Sequence, residues 1–548
     1  MAVESQAPDL VVVNGVVRTL DAHDTVAEAL AVRGGEIVGI GTTSEIAALA
    51  SERSQVVDAG GRVVLPGFID GHVHFNSAAI ESAYLIDLLA LEPASLDEVL
   101  AELRRRADAL PAGTWVRADN LNPDHFPTFA MPTRRQLDAV VPDHPAVVYT
   151  IGFHVAAANS RALAEAGIDG TTADPPGGLI ERDAGGEPNG ILHERAKLLL
   201  DPRRADTVLP RYDLEARKAA LRAHFGYLHQ RGVTSINDMV VDPEEIRAYQ
   251  ELQAARDLSI RVQLLVRGVE SQITTDQILA VGLQPGFGDD WLSFGGVKLS
   301  IDGVCVAKNA ATYDPHPGEP DNRGIVRIEQ GELDEQLLRC HRAGVRVAIH
   351  AIGPRAVDMA LDAIEKALTA HPRSDHRHRI EHAYLPGSAE QRRRMARLGV
   401  VVSTQPAFLH GLGDGWRRIW GDDGVSGALP LRSMLDEGVM VMGSTDYPCV
   451  PADPVLGLAA ATSRTTRKGA VLDPSEAIGI GEALRLQTTA AAFGQFKERR
   501  KGSLELGKLA DLVVLSEDPI GMPPDEVGRL KVDLTVVGGS VVFERAGA

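Results

Sequence analysis

VLPGFIDGHVHF, residues 64–75, opens with an apolar run, turns polar at Asp70 and ends in two histidines one residue apart. Side chains alternate faces along a β-strand, so His72 and His74 point the same way if this stretch is a strand. Two imidazoles one pleat apart on one face can hold the same metal ion. A strand that runs into a loop with incidental histidines has the same local sequence, so the rest of the chain has to decide.

Outward from this stretch, helical and strand-like segments alternate from about Arg211 onward. The apolar segments are 233–238, 260–266, 292–303, 345–353, 378–385, 400–406 and 439–448, separated by helical patterns such as 329–343 and 356–370. With the HxH strand this makes eight strands alternating with helices, which implies a parallel sheet and predicts a (β/α)8 barrel of the TIM type in an α/β protein. Catalytic groups in that fold sit at the C-terminal ends of the strands. Those ends carry His72 and His74, Lys298, His350, His382 and Asp446. Taken singly, His350 or His382 reads as a packing histidine and Asp446 as a helix cap. Four histidines, a lysine and an aspartate at one mouth read together as a metal site.

Both ends of the chain look different from its middle. Residues 9–19 read as a hairpin around Asn14-Gly15, residues 27–40 repeat the pattern around Gly34-Gly35, and 532–543 form another around Gly538-Gly539. We expect one small β-sandwich domain built from both termini, 1–62 and 491–548, beside barrel strand 1 (63–75) and the remainder of the barrel (207–490). Residues 76–206 are read as an insertion after the first strand, with an amphipathic helix at 96–110 and Pro/Gly-rich segments, forming a lid or subdomain over the mouth.

The chain has 548 residues, 44% of them hydrophobic, and a formal net charge of -19. An acidic chain without a long basic run argues against nucleic acid and anionic membrane surfaces as partners, leaving a small-molecule substrate. Cys305, Cys340 and Cys449 are too few and too far apart for a disulfide framework, which fits a reducing compartment. The N-terminal residues lack a signal-peptide pattern and no apolar run approaches a bilayer span, so we expect a cytoplasmic protein. Homo-oligomer formation is left open.

The segments LPGFIDGHVHF, VKLSIDG, AIHAIG, HRIEHA, STDYP and GSLELGKLADLVVL together resemble the amidohydrolase superfamily. GFHVAAANSRAL (152–163), PPGGLIERDAGGEPNGIL (175–192), STQPAFL (403–409) and DPVLGLAAATSR (453–464) resemble its YtcJ-like branch, the amidohydrolase family 3 group that includes N-substituted formamide deformylases. The resemblance covers nearly the whole chain. It implies a centre of two divalent ions, with zinc the expected metal, His72, His74 and Asp446 on one ion and His350 and His382 on the other. Lys298, carboxylated to a carbamate, would bridge them; an unmodified Lys298 paired with Asp302 beside a single ion is the other arrangement. The implied reaction is hydrolysis of an amide, formamide or cyclic amide by metal-activated water, with Asp446 as proton shuttle. His154 matches a family histidine near the site and is a candidate for contacting the substrate or oxyanion; it also reads as a structural loop residue. Ester or carbamate cleavage and deamination are alternatives on the same site, and a silent scaffold is disfavoured because every ligand position is filled.

One segment departs from the family. The loop after the lysine strand reads DGVCVAKNAATYD (302–314), where relatives carry a Ser/Leu/Gly-rich loop, so substrate choice should differ. Phe153, Asp302, Phe408, Trp416 and Tyr447 are the candidate pocket residues, the aromatics being equally readable as core. Few further charged residues lie at the strand ends, which favours a neutral or aromatic substrate.

Overall fold

The computed structural model describes residues 7–126, 130–201, 207–268, 273–385 and 387–547. The first six residues of the expected sandwich segment, residues 127–129 of the Pro-rich stretch and the insertion's expected end at 202–206 lie outside these.

Eight strands form one parallel sheet in chain order: β1 (Phe68–Val73), β2 (Val233–Val240), β3 (Arg261–Arg267), β4 (Leu292–Ser300), β5 (Val347–Ala351), β6 (Arg379–His382), β7 (Val401–Thr404) and β8 (Met440–Gly443). The apolar residues of their Val-, Ile- and Leu-rich runs are buried apart from the first residues Leu292 and Met440, as strands covered on both faces must be. The intervening helices bury one stripe each. In Pro354–Ala370, Val357, Leu361 and Ile364 recur at helical spacing against the barrel, with Pro354 pre-set for the first turn. The barrel closes at its mouth. Val73 bridges Tyr447, the Asp446 amide donates to His72 O at 2.8 Å, and the His74 amide donates to Tyr447 O at 2.7 Å.

The termini build a two-sheet sandwich. Val63–Pro66 pairs antiparallel with Leu512–Leu515, which puts both chain ends in one six-stranded sheet. A four-stranded sheet from residues 10–58 packs on it through Val12, Leu30 and Val32 against Leu512, Val514 and Val536. The glycine-glycine hairpins form as expected. The Asn14-Gly15 hairpin does not. Leu10–Val13 lies in the four-stranded sheet and Val16–Arg18 in the six-stranded one, so this pair turns a corner between sheets. Asn14, at φ +55, donates its amide to the Thr43 side chain there, which suits a crossover as well as a turn.

The insertion is less irregular than its Pro and Gly content suggested. A six-stranded mixed sheet runs through Ile86–Asp87, Val116–Leu121, Ala146–Thr150, Val155–Ala158, Pro188–Glu194 and Gly178–Arg182. The expected helix forms at Leu96–Asp108 and buries Val99 and Leu103 against this sheet's core.

Candidate functional site

The side chains at the strand ends meet at the mouth. Asp446 Oδ1 stands 3.4 Å from His72 Nε2 and 3.4 Å from His74 Nε2. These three offer ligand atoms that all lie within 4.8 Å of one another. His350 and His382 stack edge-on with ring centroids 4.5 Å apart, and His382 lies 5.0 Å from His72. Lys298, on β4, is 2% exposed and its Nζ has no hydrogen-bond partner among the described residues. Asp446 Oδ1 is likewise buried without a hydrogen-bond donor. Two orphaned polar atoms of opposite kind facing neutral imidazoles make a donor set that fits a divalent cation.

Burial sets the protonation of these groups. It holds His72 and His350 well below the usual imidazole value and His382 down to about 3, with Lys298 adding to each. Neutral imidazole is the form that ligates metal. Burial lowers Lys298 to about 7, against the pull of Glu381 and Asp446. It raises Asp446 to about 7, against the pull of Lys298, and a cation at the orphaned oxygen would restore the carboxylate.

Neighbours fix the ligand orientations. His72 Nδ1 lies 2.6 Å from Glu381 Oε2, and Arg379 grips both oxygens of Glu381 at 2.7 Å. The carboxylate can only accept, so His72 Nδ1 carries the proton and Nε2 is free for a ligand. Arg379 also donates to Gly71 O at 2.8 Å, which ties the HxH strand to β6. His382 Nδ1 pairs with Gln405 Oε1 at 3.0 Å. Asp70 accepts from the Thr445 amide at 2.9 Å and from its hydroxyl at 2.5 Å, so it holds the segment that carries Asp446. Asp446 itself sits at φ +58, a conformation Asp tolerates better than most residues.

A cavity opens over these groups, walled by Ile151, Phe153, Tyr384, Phe408 and Leu412. His154 lines it too, with its ring 5.4 Å from that of His350. Insertion residues therefore border the mouth, as a lid would. Burial lowers His154 while Glu194, 2.9 Å from Nδ1, pulls it up.

Three expected pocket residues do not line the cavity. Trp416 is fully buried behind Tyr384, on which it stacks at 4.8 Å. Tyr447 turns outward to stack on Tyr227 at 4.9 Å and bond His224, because the preceding residue spends its side chain on the mouth. Asp302 accepts the amides of Ala311, Ile352 and Gly353 and so braces the loop after β4 instead of the lysine. The expectation of few charged residues is also corrected. Glu81, Lys197, Arg267 and Arg327 all border the cavity, together with Asn120. Glu81, Asn120 and Lys197 lie between β1 and β2 and Arg327 in the loop after β4, where strand-end reading has no purchase. The second carboxylates, Glu381 and Glu194, gave no separate sequence signal, although Glu381 lies inside the HRIEHA motif.

Known proteins share this architecture. A family model described as "Amidohydrolase family" matches residues 55–543. An N-substituted formamide deformylase of Arthrobacter pascens is 33% identical, over 99% of this chain and 100% of that protein. YtcJ of Bacillus subtilis (strain 168) is 30% identical over 97% and 99%. An uncharacterized metal-dependent hydrolase from Pyrococcus horikoshii OT3 superposes with a TM-score of 0.73 at 27% identity, covering 94% of this chain and 99% of that one. The chain belongs to the amidohydrolase family.

Proposed function

We propose that the protein is a metal-dependent hydrolase of the C–N bond in small amides, with N-substituted formamides as the leading substrate class. The observation that carries this is the orphaned Asp446 Oδ1, 3.4 Å from the Nε2 atoms of both His72 and His74 in the floor of a walled cavity. The formamide deformylase among its relatives supports the choice of bond. His72, His74 and Asp446 would hold one ion, His350 and His382 a second, and Lys298, carboxylated, would join them. Zinc is the metal we assign. A bound divalent ion supplies Lewis acidity toward water and the scissile carbonyl oxygen.

The chain's own residues do the rest. Asp446 accepts the nucleophile's proton on Oδ2 and returns it to the leaving nitrogen. Burial lowers Lys298 toward neutral pH and so favours the free amine that carbon dioxide requires. Phe153, Phe408 and Leu412 take an apolar N-substituent and exclude water. Three buried thiols, Cys305, Cys340 and Cys449, fit a reducing compartment such as the cytoplasm.

Purified protein should carry one to two equivalents of zinc, lose activity on exhaustive chelation, and regain it with zinc. A screen over N-formyl compounds, other amides, lactams and esters tests the bond. Full activity after chelation would refute the metal assignment, and turnover of esters alone would refute the C–N assignment.

A further inference from the structure

Among the described residues, the His154 side chain is hydrogen-bonded from one side only. Its Nδ1 lies 2.9 and 3.0 Å from the two oxygens of Glu194, which is fully buried. Asn309 Nδ2 donates to Glu194 Oε1 at 2.6 Å, and Arg327 Nη1 stands 3.4 Å from Oε2. The Glu194 amide donates to His154 O at 2.9 Å, so backbone and side chain lock the same pair. Glu194 adopts φ +47 and ψ -121, a conformation a non-glycine residue keeps only when its surroundings impose it.

Asn309 belongs to the loop that departs from the family pattern. Its Oδ1 accepts the Val304 amide at 2.6 Å, which folds the loop back onto Glu194. Gly303 allows that approach: a Cβ there would lie 2.3 Å from Asn309 Oδ1 and 2.6 Å from Glu194 Oε1. The unusual loop thus acts on the cavity through His154.

A carboxylate ringed by donors can only accept, so Nδ1 of His154 carries the proton. Burial outweighs the pull of Glu194 and keeps the ring neutral, so Nε2, on the other edge and without a hydrogen-bond partner among the described residues, offers its lone pair where His154 lines the cavity next to His350. An acceptor in a buried wall selects a donor, because a group that brings none leaves it unpaired. We propose that His154 Nε2 accepts a hydrogen bond from the N–H of the scissile amide, which makes secondary amides the substrates and disfavours tertiary amides and esters. This rests on the C–N reading above. An ester oxygen at the same place sets lone pair against lone pair, and an N-methyl group fills the space of the missing proton. Sites built to hydrogen-bond an N–H discriminate strongly against analogues that lack it.

Three matched probes test this: N-(2-phenylethyl)formamide, its N-methyl derivative and 2-phenylethyl formate. kcat/KM is measured for each on zinc-loaded wild type, His154→Phe and Glu194→Gln, with metal content and circular dichroism on the same samples. Wild type should prefer the secondary formamide over the N-methyl compound by about 100-fold. Both variants should lower the formamide-to-formate ratio by about tenfold or more, Glu194→Gln because one acceptor oxygen must then serve three donors. A purely structural role for His154 lowers all rates together and leaves the ratio unmoved. An unchanged ratio in either variant that keeps fold and metal overturns the inference. So does a wild type that cleaves both formamides equally well, while the C–N reading stands. A wild type that cleaves only the formate overturns the C–N reading and this inference with it.

Discussion

Asp446 is asked to be both ligand and base, and its setting allows the two to be separated. Asn keeps the shape, offers a ligand oxygen and tolerates the left-handed backbone at φ +58, but has no basicity. Asp446→Asn should therefore fold, keep part of its metal and lose about 10²–10⁴-fold in kcat. Saturating-substrate kcat with metal content on the same sample decides it; near-full kcat with metal retained would place the proton shuttle elsewhere. Glu381 is a quieter case. It holds the His72 tautomer from 2.6 Å, and Glu381→Gln should weaken metal binding by about 10–100-fold, read by chelator competition. An unchanged affinity would make Glu381 only a counter-ion to Arg379. The six strand-end candidates were legible because the barrel fixes where such side chains point. Glu381, Glu194 and Glu81 were not, because a lone carboxylate in a sequence has no signature until folding brings its partner across. His72 and Glu381 are 309 positions apart. Trp416 and Tyr447 misled for a related reason: an aromatic near a motif reads the same whether it faces the cavity or the layer behind it.

Among the elements, the joint between the ends of β1 and β8 deserves a direct test, because it carries ligands from both sides. Asp70 on β1 accepts two hydrogen bonds from Thr445, and Thr445 Oγ1 in turn accepts from the Tyr447 amide at 3.2 Å. Thr445→Val keeps the volume and removes the hydroxyl. It leaves a buried carboxylate short of a donor and a buried amide short of an acceptor, at a cost of about 1–3 kcal/mol for each unsatisfied group. We expect a lower urea midpoint and a raised KM or lowered kcat, since the Asp446 segment loses its tether. Unchanged stability and kinetics would show that the backbone bridge alone closes the barrel. Strand positions were readable from apolar runs with turn signals between them, and the barrel helices from their 3.6-residue stripes. The insertion's sheet was not. Its strands carry no uniform apolar run, as in Val116–Leu121 and Pro188–Glu194 with their polar and charged residues, and Pro and Gly mark its boundaries so densely that they mask the strands between. The Asn14-Gly15 corner failed for a physical reason as well: a positive φ permits a tight hairpin without requiring the two strands to pair.

For the molecule as a whole, the terminal sandwich and the candidate metal site sit at opposite ends of the barrel strands. The sandwich grips the N-terminal end. Arg261, the first residue of β3, pairs with Asp511 through Nε at 2.6 Å and Nη2 at 2.9 Å, and both side chains are 4% exposed. Asp511 Oδ1 also accepts the Gly538 amide at 2.9 Å, and the Arg261 guanidinium lies 4.5 Å from the Trp291 ring centroid. Nearby, Lys501 donates to Ser235 and Thr535 to His229 O, so the C-terminal segment is tied to the first turns of the barrel at several points. The candidate ligands lie at the other end, one strand length or about 20 Å away. Asp511→Ala leaves a buried guanidinium without its carboxylate, which costs about 3–5 kcal/mol. It touches no group in the cavity. The expected result is a large fall in the urea midpoint, with kcat per mole of folded, metal-loaded protein changed by less than about twofold, since sites this far apart and without shared partners behave independently. Urea unfolding and metal-normalised kinetics at a temperature well below the variant's transition measure the two separately. A fall in kcat with the midpoint unmoved would mean that the sandwich acts on the mouth through the strands, and that stability and catalysis are not divided between the two ends of the barrel.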